Sequence, residues 1–289
     1  MSMDGKTVMV TGATNGIGEV TALELARMGA QVIVVSRSES RCRDTVERIK
    51  RETGNEQVTY MTANLAEMNQ VRQLAADFQE HYDKLHVLVN NAGAFFLRRQ
   101  LSPDGYEMTF ALNHLNYFLL TTLLLDTLKA TAVADGETRI VNVSSEAHRG
   151  VRIHFNDLER GTYYSYQVYG ESKLMNIMFT YELAKRMEGT DVTVNALHPG
   201  FVRSGFGKSN NVLMNAAMTV AQLFAISPEE GAQTPIYLAS SPEVKGVSGK
   251  YFVKKAPKRS SEASYNEQAW QQLWAVSESY VWPQETVLS

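Results

Sequence analysis

The chain has 289 residues, of which 44% are hydrophobic and 20% charged, so it can bury a large core and is not a disordered protein. Its formal charge of −3 offers no broad basic surface to a nucleic acid. The single cysteine, Cys42, excludes an internal disulfide, and no CxxC motif or His/Cys cluster offers a zinc site. No signal-peptide pattern precedes the first apolar run, which predicts a cytoplasmic protein without a membrane span.

Short β-branched runs alternate along the chain with segments of helical period. The seven predicted strands are Thr7–Thr11, Gln31–Ser36, Gln57–Thr62, His86–Asn90, Arg139–Ser144, Val192–Leu197 and Lys250–Val253. The predicted helices between them are Glu19–Met28, Arg41–Thr53, Met68–Tyr82, Tyr106–Lys129, Gln167–Met187 and Glu229–Ala239. This alternation predicts a single α/β domain over residues 1–289, with a doubly wound parallel sheet of about seven strands and helices on both faces.

Two segments interrupt the alternation. Residues 146–166 are rich in aromatic side chains, and residues 201–225 are rich in Gly, Asn and Met. Long loops are usually functional, so both are interpreted as substrate-side elements. An apolar helical pattern near residues 262–279 predicts a C-terminal helix that closes against the core.

The motif TGATNGIG follows the first predicted strand and opens the first predicted helix. Glycine permits a tight turn and close backbone approach, while a helix N-terminus offers N–H groups and a positive dipole to a pyrophosphate. This placement favours a dinucleotide site, although a packed turn could also require the glycines. The predicted contacts here are Gly12, Thr14, Asn15, Gly16, Ile17 and Gly18.

The end of the second strand indicates which dinucleotide is bound. A site for NAD would place Asp or Glu near Ser36 to hold the ribose hydroxyls, but the residues are Ser36, Arg37 and Ser38. Without a carboxylate, Arg37 can pair with a 2′-phosphate, which predicts NADP(H) as the cofactor. The alternative is that Arg37 is a solvated surface arginine.

Tyr169 and Lys173 are four residues apart in YGESK and share one face of a predicted helix. An ammonium at about 4 Å contributes roughly 4 kcal/mol at an effective dielectric near 20, about the free energy that brings a tyrosine pKa near neutrality. Lys173 is therefore predicted to activate Tyr169 as a proton donor or acceptor. An isolated YxxxK motif also describes an ordinary surface pair.

Two serines, Ser144 and Ser145, end the fifth predicted strand, at the sheet edge where a ligand crevice is expected. A hydroxyl at that edge can polarise a substrate carbonyl. Either serine taken alone could instead be a residue of the turn.

Six motifs follow one another along nearly the whole chain: TGATNGIG, NNAG, NHLNYFLLT, VNVSS, YGESK and HPGFVRS. Together they resemble the short-chain dehydrogenase/reductase family, which implies a Rossmann-type fold and hydride transfer between a nicotinamide cofactor and a carbonyl or alcohol. The long Ser-to-Tyr connection and the tail SGKYF…AWQQLWAVSES are similar to the retinol dehydrogenase and WW-domain oxidoreductase branch.

The resemblance implies that Ser145, Tyr169 and Lys173 are catalytic. Asn113 would be the fourth member, holding a water that links Lys173 to solvent. The resemblance also places Asn90 beside the cofactor. The further cofactor contacts that it implies are Tyr169, Lys173, Asn64, Leu65, Asn91, Ala92, Gly93, Pro199, Gly200, Val202 and Ser204.

Some positions depart from the family pattern. Asn64 replaces the more usual Asp beside the adenine, Asn116 stands where glycine is common, and Ser204 replaces a frequent threonine. None of these changes removes the catalytic residues.

Epimerases of the extended family have a first-loop spacing that differs from the TGATNGIG motif of this chain. A non-catalytic NADP(H)-binding scaffold or redox sensor is the alternative, but it would be expected to lack one of the catalytic residues.

The substrate is predicted to be a small-molecule carbonyl or alcohol. Ten apolar and aromatic residues could line a pocket, which favours a lipophilic compound, although each could equally pack in the core or a loop. They are Phe95, Phe96, Leu97, Phe155, Tyr163, Tyr164, Phe201, Phe206, Met214 and Met218. The family often pairs through the helices carrying Asn113 and Tyr169, which allows a homodimer or homotetramer, unless the LLTTLLL face is buried within one subunit.

Overall fold

The computed structural model describes residues 2–202 and 225–282. Its centre is a sheet in the order β3-β2-β1-β4-β5-β6-β7-β8, in which β8 pairs antiparallel with β7 and the other neighbours are parallel. The strands are β1 Thr7–Thr11, β2 Gln31–Ser36, β3 Val58–Thr62, β4 Val87–Asn90, β5 Thr138–Val143, β6 Val192–His198, β7 Lys250–Val253 and β8 Ala256–Pro257. The strand order reverses between β1 and β4, so a crevice is expected beyond their carboxyl ends.

Helices cover both faces of this sheet. They are α1 Gly16–Arg27, α2 Glu39–Thr53, α3 Met68–His81, α4 Met108–Asp135, α5 Ser165–Arg186, α6 Pro228–Ser240 and α7 Glu267–Val281. Alternate residues of each buried strand point to opposite faces. Met9 therefore belongs to the core under α3, α4 and α5, whereas Val8 and Val10 belong to the core under α1, α2 and α6.

The predicted doubly wound α/β fold is confirmed, and β1, β2 and β7 have the predicted bounds. The prediction of about seven strands missed β8, whose two residues Ala256 and Pro257 pair with Val253 and Phe252. Residues 149–164 form an irregular connection, as expected, after a short 3-10 turn at Glu146–His148. The second predicted substrate-side element, 201–225, lies almost entirely outside the described residues.

Helix α4 contains a π-helical turn, Ala111–Leu115, between its first turn Met108–Phe110 and the long segment Asn116–Asp135. By length and composition alone α4 could cross a membrane, and half of its most apolar window is buried in the fold. Core helices of soluble proteins have the same character, so this feature does not test the predicted absence of a span.

The apolar face of α4 is largely covered within the subunit. Leu120 and Leu124 are fully buried. The ring of Trp274, on the C-terminal helix α7, lies 4.9 Å from that of Phe118 on α4 and 6.0 Å from that of Phe179 on α5. Helix α7 therefore packs across the two helices that carry the predicted catalytic residues.

Candidate active site

The glycine-rich loop leaves β1 after Thr11 and enters α1 at Gly16. Gly12 and Gly16 have φ of +65° and +55°, a region that favours glycine. A Cβ on Gly18 would overlap Asn91 Nδ2 and lie 2.5 Å from Gly12 O, so this helix start requires glycine for close packing. Around Gly16, by contrast, a Cβ would meet nothing within 4 Å, so the outer side of the loop is open.

This loop fits the phosphates of a dinucleotide. Glu19 N donates to Asn15 O at 3.3 Å, and the N–H groups before it, in the first turn of α1, point out of the helix end. The N–H groups and the open space above Gly16 suit an anion. Beside the loop, Thr14 Oγ1 donates to Ser36 Oγ at 3.0 Å. Arg37 is exposed and makes no ion pair with the described residues, so its guanidinium is available to a ligand.

The turn after β4 is fixed to the glycine-rich loop. Thr11 Oγ1 accepts from Asn91 N at 2.9 Å and from Ala92 N at 3.1 Å. Asn91 Nδ2 donates to Thr11 O at 2.8 Å. A Cβ on Gly93 would lie 3.1 Å from Asn113 Oδ1 and 3.4 Å from Lys173 Nζ, so the predicted cofactor turn and the predicted catalytic residues are adjacent.

Asn113 lies in the π-helical turn of α4, a feature that often occurs at functional sites. Its Oδ1 accepts from Ala94 N at 2.8 Å, and its Nδ2 donates to Ala94 O at 2.9 Å and to Ser172 Oγ at 3.1 Å. Asn113 therefore holds the chain after Gly93 against α5. Its implied role in holding a water stays a prediction.

Lys173 is buried on α5, and Tyr169 on the same helix is partly exposed. Lys173 Nζ donates to Val143 O at 3.1 Å and lies 5.6 Å from the centroid of the Tyr169 ring. Burial lowers the pKa of Lys173 to about 7 and raises the pKa of Tyr169 to about 12, while a hydrogen bond with the Ser145 side chain lowers the latter. The structure differs here from the expectation that the ammonium controls the tyrosine. Tyr169 is protonated at neutral pH and suited to donate a proton.

The structure distinguishes the two serines at the end of β5. Ser144 is buried, and its Oγ donates to Lys173 O at 2.7 Å, which ties β5 to α5. Ser145 is partly exposed, and its Oγ accepts from Ala147 N at 3.2 Å and hydrogen-bonds with Tyr169. The ring of Phe95 meets that of Tyr169 edge-on, with centroids 5.5 Å apart. The geometry favours Ser145 as the hydroxyl that faces a substrate.

Other predicted cofactor contacts lie at neighbouring strand ends. Asn64 follows β3, where its N donates to Gln70 Oε1 at 2.7 Å and its Oδ1 accepts from Ala66 N at 3.3 Å; Leu65 beside it is buried. Gly200 follows β6 with φ of +102°. Pro199 and Val202 are in the same segment, and Val202 bridges to Ile226. The predicted contact Ser204 lies outside the described residues.

The predicted pocket residues do not form one group. Tyr163 donates to Phe96 O at 2.9 Å, so it joins the segment after β5 to the segment after β4. Tyr164 and Phe201 are 67% and 52% exposed, and Phe155 packs against the core. The predicted residues Phe206, Met214 and Met218 lie outside the described part of the chain.

Two residues that the sequence reasoning did not single out shape the site. Glu171, fully buried on α5, accepts from Arg160 Nη2 at 2.6 Å, from Gln167 Nε2 at 3.0 Å and from His154 N at 3.2 Å, which anchors the segment after β5. His148, also fully buried, binds the backbone of Ser145. Glu171 lies within YGESK, and His148 lies three residues after Ser145. At neither position does a sequence pattern show which groups the buried side chain contacts.

The model of the short chain dehydrogenase family matches residues 6–213. Human retinol dehydrogenase 14 is 41% identical over 299 residues, covering 96% of this chain and 87% of that protein. A crystal structure of a putative uncharacterized protein from Mycobacterium paratuberculosis has 30% identity and a TM-score of 0.78, covering 97% of this chain and 94% of that one. The Pseudomonas aeruginosa RhlG/NADP active-site complex has 26% identity and a TM-score of 0.69, covering 87% and 95%.

The chain therefore belongs to the short-chain dehydrogenase family, as its motifs predicted. Within that family it falls in the retinol dehydrogenase branch. It is a carbonyl/alcohol oxidoreductase of a family that binds a nicotinamide cofactor.

Proposed function

We propose that this protein is an NADP(H)-dependent oxidoreductase that interconverts a lipophilic ketone or aldehyde and its alcohol, with Tyr169 as the general acid and base. The observation that carries the proposal is the convergence of Tyr169, Ser145, Lys173 and Asn113 beside Gly93, at the edge where the glycine-rich loop ends. A scaffold that only bound a nucleotide would have no use for a partly exposed tyrosine hydrogen-bonded to a serine and lying beside a buried lysine.

The residues present fit the cofactor. The loop from Gly12 to Gly18 would hold its pyrophosphate and Arg37 its 2′-phosphate. When bound, NADPH supplies the hydride that reduces the carbonyl carbon. The complex of RhlG with NADP, a protein of the same fold, supports this choice of cofactor.

The side chains of this chain move the proton. Ser145 Oγ donates to the carbonyl oxygen and orients it. Tyr169 then passes its phenolic proton to that oxygen as the oxygen becomes a hydroxyl. In alcohol oxidation the same proton returns to Tyr169 from the substrate hydroxyl. Lys173, with a pKa of about 7, can exchange a proton at neutral pH and restore that of Tyr169.

Two observations support a lipophilic substrate. Phe95 lies edge-on against the ring of Tyr169, which gives the proposed proton donor an apolar neighbour. The similarity to retinol dehydrogenase 14 points in the same direction. We also propose that the protein is cytoplasmic. We further propose that the protein forms a homodimer or homotetramer. Because α7 covers part of the surface of α4 and α5, the subunits would have to pair through residues that α7 leaves uncovered.

The test is turnover by the purified protein with a panel of retinal, long-chain aldehydes and small hydrophilic carbonyls, followed by the loss of NADPH or NADH absorbance. We expect oxidation of NADPH with the lipophilic members. Tyr169→Phe is the matched control because it keeps the ring and removes the proton. If the unaltered protein oxidises no more cofactor than this variant with every compound, the non-catalytic scaffold or redox sensor becomes the better explanation.

A further inference from the structure

The turn that follows Ser145 is held by one histidine. His148, fully buried, donates twice to Ser145 O, from its backbone N at 3.2 Å and from its Nδ1 at 2.6 Å. On the other side of the ring, Nε2 accepts from Ser261 N at 3.0 Å. Because a backbone N–H can only donate, Nε2 carries no hydrogen and Nδ1 carries one. The ring therefore joins the carbonyl of Ser145 to the segment after β8.

Further contacts connect the same turn to the rest of the sheet edge. Glu146 N donates to His198 Nδ1 at 3.3 Å, at the end of β6. Glu146 Oε1 accepts from Tyr251 OH at 2.9 Å, on β7. The ring of Tyr251 also meets that of His148, with centroids 5.0 Å apart. The backbone of Ser145 is thus anchored from β6, β7 and the C-terminal segment.

His148 is suited to this contact because it stays neutral. Burial lowers its pKa, and Arg149 lowers it further, while the carbonyl of Ser145 and the carboxylate of Glu146 raise it. The net shift is downward, so at neutral pH Nε2 remains an acceptor. A neutral imidazole provides a donor and an acceptor on opposite sides of a rigid ring.

We propose that His148 is a positioning residue for the reaction, which fixes Ser145 Oγ against Tyr169 by linking the Ser145 carbonyl to Ser261. The proposal rests on the proposed function. Ser145 has an extended backbone, with φ of −157° and ψ of 153°. Among the described residues its Oγ accepts one backbone N–H, from Ala147 at 3.2 Å, besides its hydrogen bond with Tyr169. The direction of Ser145 Oγ therefore depends on where the carbonyl of Ser145 is held. A shift of about 1 Å at a catalytic group can cost on the order of 100-fold in rate.

Two substitutions separate the functions of the ring. His148→Asn retains a nitrogen donor near the position of Nδ1, toward Ser145 O. His148→Gln retains an acceptor near the position of Nε2, toward Ser261 N. We expect His148→Gln to lower kcat by about tenfold or more with unchanged NADPH affinity, and His148→Asn to keep more activity. Equal losses in the two variants that persist in full in a Ser145→Ala background would indicate a packing role and overturn the proposal.

A double-mutant cycle distinguishes an effect that acts through Ser145 from a general loss of stability. If His148 acts through Ser145, then His148→Gln should have little further effect on kcat in a Ser145→Ala background. Independent, multiplicative losses would contradict that route.

The tautomer is read from the ¹⁵N shifts of the imidazole, and a hydrogen on Nε2 would reject the arrangement. This measurement needs no substrate. An inactive protein would therefore refute the proposed function, while the imidazole spectrum would still judge the contacts of His148.

Discussion

Lys173 is a buried base whose removal should make the protein more stable. Its pKa is lowered from 10.5 to about 7 by burial. At pH 7 Lys173 is fully protonated in the unfolded chain but only partly protonated in the folded protein. This difference destabilises the fold by about 4 kcal/mol. Lys173→Met removes this cost and loses one hydrogen bond, to Val143 O, of about 1 kcal/mol. We expect a net gain of about 3 kcal/mol at pH 7, together with loss of turnover.

The sign of the pH dependence follows from proton binding. Between pH 7 and 10.5 the unfolded chain binds the proton of Lys173 more tightly than the folded protein, so wild-type stability rises with pH relative to the variant. At pH 10 the cost of burial has fallen to about 1 kcal/mol, and the two proteins should be equally stable. Urea unfolding at pH 7 and pH 10, without NADP(H), gives both differences.

Lys185→Met is the matched control. Lys185 is an exposed lysine of the same helix, and the carboxylate of Glu267 raises its pKa, so its replacement should give no gain at pH 7. If Lys173→Met is less stable than the wild type by the same amount at both pH values, the lysine is charged in the folded protein. The argument from burial would then be wrong.

Three further predictions concern the site. Tyr169→Phe should abolish turnover and leave NADPH affinity nearly unchanged, and activity above about a tenth in a turnover assay would reject Tyr169 as the acid and base. Ser145→Ala should lower kcat much more than Ser144→Ala, as steady-state kinetics would show. Ser144→Ala should instead lower the free energy of unfolding, measured in urea, by about 1 kcal/mol, because its hydrogen bond to α5 is lost. The unaltered protein should bind NADPH about ten- to 100-fold more tightly than NADH, and Arg37→Ala should remove most of this preference. Equal affinities for NADH and NADPH in a titration of the unaltered protein would refute this role of Arg37.

The sequence predicted the parts of the fold that have a repeating pattern. Thr7–Thr11 and Gln31–Ser36 are buried β-branched runs, and their bounds match the structure. Strand β8 was missed because two residues, Ala256 and Pro257, show no period. The start of α4 was placed at Tyr106 instead of Met108, because the cap is Glu107, whose carboxylate accepts from Thr109 N and Phe110 N.

The site was predicted to the extent that its residues lie in motifs. YGESK and VNVSS identified the candidates, but a motif does not state what a side chain contacts. The π-helical turn that carries Asn113 has no sequence signal. The pKa values depend on burial, so the spacing of Tyr169 and Lys173 predicted a charged pair where the structure has two groups shifted toward their neutral forms.

Helix α7 has a consequence for how the site depends on concentration. It is tethered to the sheet by the short segment between β8 and Glu267, and it places Leu273 and Trp274 in the core beside α4 and α5. A tethered helix meets its binding surface at a fixed, high effective concentration, whereas a second subunit would dissociate on dilution. The support that α7 gives to α4 and α5, which carry the proposed catalytic residues, is therefore the same at every protein concentration. A cut in the tether would convert it into a bimolecular association that is lost on dilution.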